Sequence, residues 1–434
     1  MNQEVLARLR RLGVVKGTRN LQAPRASRRS SVPHRRTTRP VTARNAAVEP
    51  RPLEVLLPDL RLAQTPVGAC YTLERSYPLA YRHGDDRLDA LLAHSPSAAA
   101  IFCQDERLAS LQVDDLLFLD TETTGLGGAG TLAFMVGIAF FEVDTFVVRQ
   151  YFLRDHGDEP ALLLLLQEQL QEKGALVTFN GRSFDVPLLD SRFLLNRMVT
   201  DLVDHPHIDL LHPARRLWRR RFQSCALSAL EQNVLGLQRT QEDVPGWLIP
   251  ALYNDYLRNG DGRELLRVFY HNEMDMLSMA TLAARILRQF SRPGPDDHPL
   301  DLLGLGKWQA DLGLVGEAEY CLRLAAVPEL PTAMYHQALL RLAYLLKRHD
   351  RREEAVPVWQ QIACTTFEDV TAHVELAKHF EWYDGDLEQA QLWTERALAL
   401  VEGLAGAATT RAALEHRLDR LRRKLARCDG SGAA

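Results

Sequence analysis

Asp120 and Glu122 close the apolar run Leu116 to Leu119 in the stretch LLFLDTETTG, residues 116–125. On an extended backbone, side chains two residues apart project to the same face, so both carboxylates share one side of a strand. Two like charges held that close repel, and a divalent cation is their natural stabiliser. The chemistry this pair suggests is metal-assisted. An isolated Asp-x-Glu is more often an acidic turn after a strand, and the surrounding DTETTGL is what shifts the balance toward a site.

DTETTGL, residues 120–126, resembles the first motif of the DEDD superfamily of RNase H-like 3′–5′ exonucleases, a group that also proofreads for polymerases. The resemblance implies a second motif after a strand, and ALVTFNGRSFDVPLL, residues 175–189, supplies Asn180 and Asp185 in the expected order. It implies a third motif on a late helix, and YHNEMDMLS, residues 270–278, supplies Tyr270, His271 and Asp275. Three motifs in order make the match specific, and from about residue 66 to residue 285 the chain resembles the bacterial YprB-type RNase H-like proteins. What the resemblance implies is that Asp120, Glu122, Asp185 and Asp275 hold two divalent cations, Mg²⁺ or Mn²⁺, since hard oxygens suit hard cations. One ion would activate the attacking water and the other would stabilise the leaving 3′ oxygen of a phosphodiester. His271 would serve as the general base or position that water, and Thr121, Asn180 and Arg182 would contact substrate.

The third motif departs from both forms known in the family. One subclass carries Tyr four residues before the Asp and the other His five before it, whereas here His271 is four before Asp275 and Tyr270 five before. If a helix runs through this segment, residues four apart share a face, which favours His271; if the helix starts only at Asn272, Tyr270 is the rival.

These residues need a sheet to hold them. Leu116 to Leu119, Leu132 to Phe141 and Phe146 to Leu153 read as three strands joined by turns, Glu159 to Glu172 as a leucine-cored helix, and Ala175 to Phe179 as a fourth strand. That order predicts an α/β RNase H-like mixed sheet with the carboxylates at strand ends. Upstream, Leu88, Leu91 and Leu92 suggest a short helix and Ala98 to Phe102 a short strand. The glycines of GGAG, residues 127–130, lack the G-K-[ST] of a phosphate loop and read as a turn beside the site. Between the second and third motifs, HIDLLHPARRLWRRRF (residues 207–222) carries Arg215, Arg216, Arg219, Arg220 and Arg221. The run is either a solvated helix face or a row that neutralises an incoming strand, with Trp218 or Phe222 offered for base stacking. His207 and Asp209 in the same stretch read as structural.

SRPGPDDHP, residues 291–299, marks a linker, and the sequence beyond it is helical to about residue 425. Gly306 and Ala318, Ala343 and Ala355, and Ala377 and Ala390 pair small residues at near-constant spacing, the last pair with one extra residue in the turn WYDGD. Ala325, Ile362 and Ala397 follow seven residues after the second member of each pair. The pattern resembles tetratricopeptide (TPR) repeats, an all-α module expected to fold separately and to offer a surface to a protein partner.

Formal net charge is −4 over 434 residues, but residues 1–50 hold 12 Lys and Arg against 2 acidic residues, a balance of +10 that leaves −14 for the remainder. That tail, rich in Pro, Ser, Thr and Arg, is expected to be disordered apart from a possible short helix over Asn2 to Leu12, as is the end beyond residue 426. It reads either as a phosphate-seeking arm or as a solvating tail, and less readily as a transit peptide. No apolar run is long enough for a membrane span. The six scattered cysteines form no C-x-x-C pair, which argues against a zinc site or disulfide framework and for a reducing, cytoplasmic setting. Three readings follow: a nuclease hydrolysing single-stranded DNA or RNA, a nucleic-acid-binding scaffold with weak or no catalysis, or a protein-interaction adaptor built on the repeats.

Overall fold

Leu116–Thr123 (β3) opens with four apolar residues and is buried on both faces, and the computed structural model places it in the interior of a seven-stranded sheet. The structure describes residues 49–125, 130–240, 242–365, 369–402 and 407–431. The basic tail through residue 48 and residues 127–129 of the glycine turn lie outside them. Strands Arg61–Thr65 (β1), Gly68–Pro78 (β2), Ala133–Phe141 (β4), Thr145–Phe152 (β5), Ala175–Thr178 (β6) and His207–Asp209 (β7) complete the sheet in the order β1-β2-β5-β4-β3-β6-β7. Pairing is antiparallel from β1 through β3 and parallel from β3 to β7. This is the mixed sheet of an RNase H-like domain.

Helices cover both faces. On one side Glu159–Glu172 (α2), Asp185–Leu195 (α3), Ile249–Asn259 (α6) and the start of Leu265–Ser291 (α7) bury Leu162, Leu166, Phe193, Tyr253 and Phe269 against the sheet. On the other side the second half of α7 packs with Leu211–Trp218 (α4) and Leu227–Asn233 (α5). Residues 98–102 belong to a helix, Ser97–Cys103 (α1), and not to the strand expected from their apolar run. A short apolar run has no periodicity to separate the two, and three consecutive alanines favour helix.

Beyond Pro299 the chain is helical: Pro299–Asp311 (α8), Val315–Ala325 (α9), Thr332–Arg348 (α10), Arg352–Thr365 (α11), Thr371–His379 (α12), Leu387–Glu402 (α13) and Ala408–Ser431 (α14). The small residues sit at the contacts between successive helices. A Cβ on Gly306 of α8 would come within 2.9 Å of Leu322 Cγ in α9, and Ala318, Ala343, Ala377 and Ala390 are fully buried. The extra residue noted near WYDGD is absorbed by a π-helical turn, Phe380–Asp384, which accommodates one residue more than an α-turn. α14 continues to Ser431, past residue 425, because RRKLAR is made of good helix formers.

The apolar core on the α7 side continues without a break from Ala214 and Leu217 of α4 into Leu302, Leu305 and Trp308 of α8 and onward to Trp393. Residues 291–299 are therefore a change of element type across a shared core. Cys70, Cys103, Cys225, Cys321 and Cys364 are free thiols. Among the described residues no helix is long and apolar enough to cross a membrane.

Candidate active site

Asp120 and Glu122 leave β3 toward α7, which crosses the sheet above them. Asp120 pairs in register with Gly137 of β4, and Gly137 pairs in turn with Gln150 of β5. The glycine is required by what lies over it: a Cβ at residue 137 would stand 2.1 Å from Oδ1 of Asn272. Asn272, fully buried on α7, donates from Nδ2 to Asp120 Oδ2 at 3.0 Å and accepts from Gln150 Nε2 at 2.9 Å. One helix residue thus orients the first carboxylate, through a gap that only glycine leaves. The next residue, Glu273, is gripped by Arg75 and Tyr77 of β2, which fixes the helix laterally.

The second motif is a loop built around Asp209. Asn180 has a left-handed backbone with φ of 69°, a conformation Asn tolerates better than most residues. Asp209 Oδ1 accepts the Asn180 N–H at 2.8 Å and the Leu211 N–H at 3.1 Å, and Oδ2 accepts the Arg182 N–H at 3.2 Å. His207 accepts or donates to Thr178 Oγ1 at 2.8 Å, and its carbonyl accepts from Arg182 Nη2 at 2.7 Å. The structural reading of His207 and Asp209 is what the geometry shows. The loop delivers Asp185 to the first turn of α3, where Thr121 Oγ1 donates to its Oδ1 at 2.5 Å. Thr121, expected against substrate, is buried and positions a carboxylate.

α7 is helical from Leu265, so His271 and Asp275 share a face, with His271 Nε2 at 3.7 Å from Asp275 Oδ2 and 3.9 Å from Glu122 Oε1. Its other nitrogen, Nδ1, bonds Asp243 Oδ1 at 2.7 Å. Tyr270 points elsewhere, its hydroxyl accepting from Thr240 at 3.3 Å. Arg239 is the cation inside the cluster. It bonds Asp275, holds Glu231 at 2.5 and 2.8 Å, and lies 3.2 Å from His271 Nδ1. Ser278 and His83 complete a buried chain behind Glu231. Arg239, Asp243, Glu231, Asn272 and Gly137 all escaped the reading of the sequence. A glycine inside the apolar strand LAFMVGIAFF was the one available signal, since strand glycines mark close approaches.

Burial raises all four carboxyl groups, and repulsion from the neighbouring carboxylates adds to it at Asp120 and Glu122. Asp120 is pushed up by burial and then by Asp275 and Asp185, Glu122 by burial and then by Asp120 and Asp275. Asp275 is raised by burial against the opposing pull of His271 and Arg239. Burial lifts Asp185 to about 6, although Thr121 works against it. For His271 burial lowers the pKa, but the Asp243 bond and the charge on Asp275 outweigh it and the net direction is upward. Among the described residues no three such groups are drawn into a closed coordination shell, and Arg239 holds Asp275. The donor set nonetheless fits hard dications: four enclosed carboxyls face one arginine, an excess of negative charge that two cations would neutralise.

A stability prediction follows. A carboxyl whose folded pKa lies above its unfolded value of about 4 stabilises the fold below that value, and the contribution is lost as pH rises through the folded pKa. For Asp185 the window is roughly pH 4 to 6, and the loss is on the order of 2–3 kcal/mol. In EDTA, the melting temperature of the wild type should therefore fall, relative to Asp185→Asn, as pH rises from about 4.5 to 7, and added Mn²⁺ should erase the difference. Parallel curves for the two proteins in EDTA would contradict the raised pKa that burial gives Asp185.

Residues 117–287, which hold all three motifs, match the RNase H superfamily. The chain is 32% identical over 372 residues to the uncharacterized protein YprB of Bacillus subtilis (strain 168), a match covering 82% of this chain and 86% of the relative. With that identity across most of both chains, the protein belongs to the family of YprB, and its α/β part is an RNase H superfamily domain.

Proposed function

We propose that the protein is a metal-dependent 3′–5′ exonuclease acting on single-stranded nucleic acid, with Asp120, Glu122, Asp185 and Asp275 as the metal carboxylates and His271 as the base. The observation that carries this reading is the aim of His271: Nδ1 is tied to Asp243 while Nε2 faces Glu122 and Asp275. Divalent cations, Mg²⁺ or Mn²⁺, held by these four carboxylates would supply Lewis-acid activation of water and charge stabilisation for phosphodiester hydrolysis. The chain does the rest. Asn272 and Thr121 orient Asp120 and Asp185, Asp243 fixes the imidazole, and Nε2 accepts a proton once the charge on Asp275 that holds it is neutralised. Asn180 and Arg182 stand where the second-motif loop meets solvent and are assigned to substrate. The 3′–5′ polarity rests on the family resemblance.

One observation favours a second reading. Arg239 is already paired with Asp275, as a scaffold with weak or no catalysis would be content to keep it. The TPR-like helix pairs are proposed as a surface for a protein partner, and the free thiols fit a cytoplasmic setting. The discriminating experiment incubates single-stranded DNA and RNA, labelled at the 5′ end, with Mn²⁺. A ladder shortening from the 3′ end is expected. Internal cuts would overturn the exonuclease assignment, and intact substrate would favour the scaffold.

A further inference from the structure

Arg215, Arg216, Arg219 and Arg220 of α4 and its C-terminal turn do not simply face solvent. With Arg182 of the second-motif loop and Lys307 of α8 they line a cleft of about 530 Å³ between the nuclease part and the first helix of the helical part. The two helices approach closely at the junction: a Cβ on Gly304 of α8 would stand 2.5 Å from the Arg216 carbonyl oxygen and 2.8 Å from that of Leu217. The glycine lets the two helices meet and sets the arginine row against α8.

The positive charge in this cleft is poorly answered by the protein itself. Among the described residues Arg215 and Arg219 form no ion pair. Arg216 and Lys307 share a single carboxylate, Asp311, the first at 3.8 Å. Arg220 reaches only the neutral Gln337, at 3.4 Å. Asp209 is the one acidic residue in the lining, and its oxygens are occupied by three backbone N–H groups. Burial, and then the like charges of Arg341 and Arg219, push the Arg220 guanidinium down from its ordinary value. Arg341 Nε is itself buried without a hydrogen-bond partner.

A second opening of about 570 Å³ shares Arg215 and Arg219 and reaches Phe179 and Asn180. The basic surface therefore continues onto the loop whose far end is Asp185. A compact anion would need two or three converging donors. A row of cations leading away from the carboxylates suits an extended polyanion instead. Trp308 is buried and Trp218, expected to be available to bases, is 2% exposed in the core, whereas Phe222, the other ring offered for stacking, is half-buried against the core with Arg221 over its face. Helical phase buries Trp218: Leu217 and Trp218 face the sheet while the arginines on either side face out.

We propose that this cleft binds the phosphodiester backbone of a single-stranded nucleic acid, leading its 3′ end across the second-motif loop to the carboxylates. Recognition of the backbone stands on the cleft alone; the placement of the 3′ end rests on the exonuclease reading above. The test is fluorescence anisotropy of labelled DNA and RNA strands of about 20 nucleotides on the full chain, in EDTA, across a salt series. The Arg215→Gln/Arg219→Gln double variant should bind on the order of tenfold more weakly, and its slope of log K against log salt should be shallower by about 1.4, at about 0.7 for each single-strand phosphate contact. Lys307→Gln, on the opposite wall, should lower the slope by about 0.7. Both sites are at the surface, and circular dichroism confirms that the variants are folded. Unchanged slopes in both variants would overturn the proposal, as would competition by a mononucleotide as effective as by the strand. Equal losses for DNA and RNA are expected of a backbone reader. Because no turnover is read, an inactive protein that binds through these residues upholds the cleft and overturns the nuclease; an active one indifferent to them does the reverse.

Discussion

Asp120→Ala and Asp185→Ala are each expected to reduce metal-dependent cleavage by at least roughly 10³-fold, to the limit of detection, while leaving the protein folded. The two residues come from different elements, β3 and the first turn of α3, and meet only because the sheet brings their ends together. Each is raised by burial, and the charge on Asp185 adds to the rise of Asp120, so each removal relieves repulsion. Asp120→Ala orphans Asn272 Nδ2, which costs about 1–3 kcal/mol, and relief of the buried, mutually repelling charge offsets that cost. In EDTA the melting temperatures of the variants should lie at or above that of the wild type. The check is a paired assay, cleavage of end-labelled strands beside thermal unfolding of the same samples. Undiminished cleavage by either variant would remove the two-metal assignment.

His271→Ala is expected to lower turnover by roughly 10² to 10⁴ with little change in metal affinity, and Tyr270→Phe by far less. The helix decides between them. α7 starts at Leu265, so His271 and Asp275 lie one turn apart on the face toward Glu122, and Tyr270 is carried round to Thr240. The imidazole is held in one orientation by Asp243, so Asp243→Asn should reproduce part of the His271 defect. Single-turnover rates at saturating Mn²⁺ separate the chemical step from metal binding. A larger loss from Tyr270→Phe than from His271→Ala would point to a tyrosine-positioned water.

What could be read from the sequence was what periodicity and motif spacing encode. The three central strands, the helix Glu159–Glu172 and the order of the carboxylates follow from runs of Leu, Val and Phe cut by turn residues. The hairpin of β1 and β2 escaped because its residues alternate weakly and half of them face water; Arg75 and Tyr77 look like surface residues until Glu273 is seen between them. Arg239 and Asp243 escaped for a different reason. They lie in an aperiodic stretch after α5, and only the folded chain shows that this loop returns to the carboxylates. The arginine run was visible as a run, but its partner wall is Lys307 and Gly304, about ninety residues away in the chain, and no local pattern links them.

Calorimetric titration of Mn²⁺ into the metal-free protein, beside Asp120→Asn and Arg239→Gln, tests the central claim most directly, because it reads the carboxylates without substrate or turnover. The structure predicts saturable binding by the wild type that Asp120→Asn weakens on the order of tenfold or more. Arg239→Gln should bind Mn²⁺ more tightly than the wild type, since the guanidinium competes for Asp275. Equal affinity in all three proteins, or no binding to the wild type, would contradict a metal site built from Asp120, Glu122, Asp185 and Asp275.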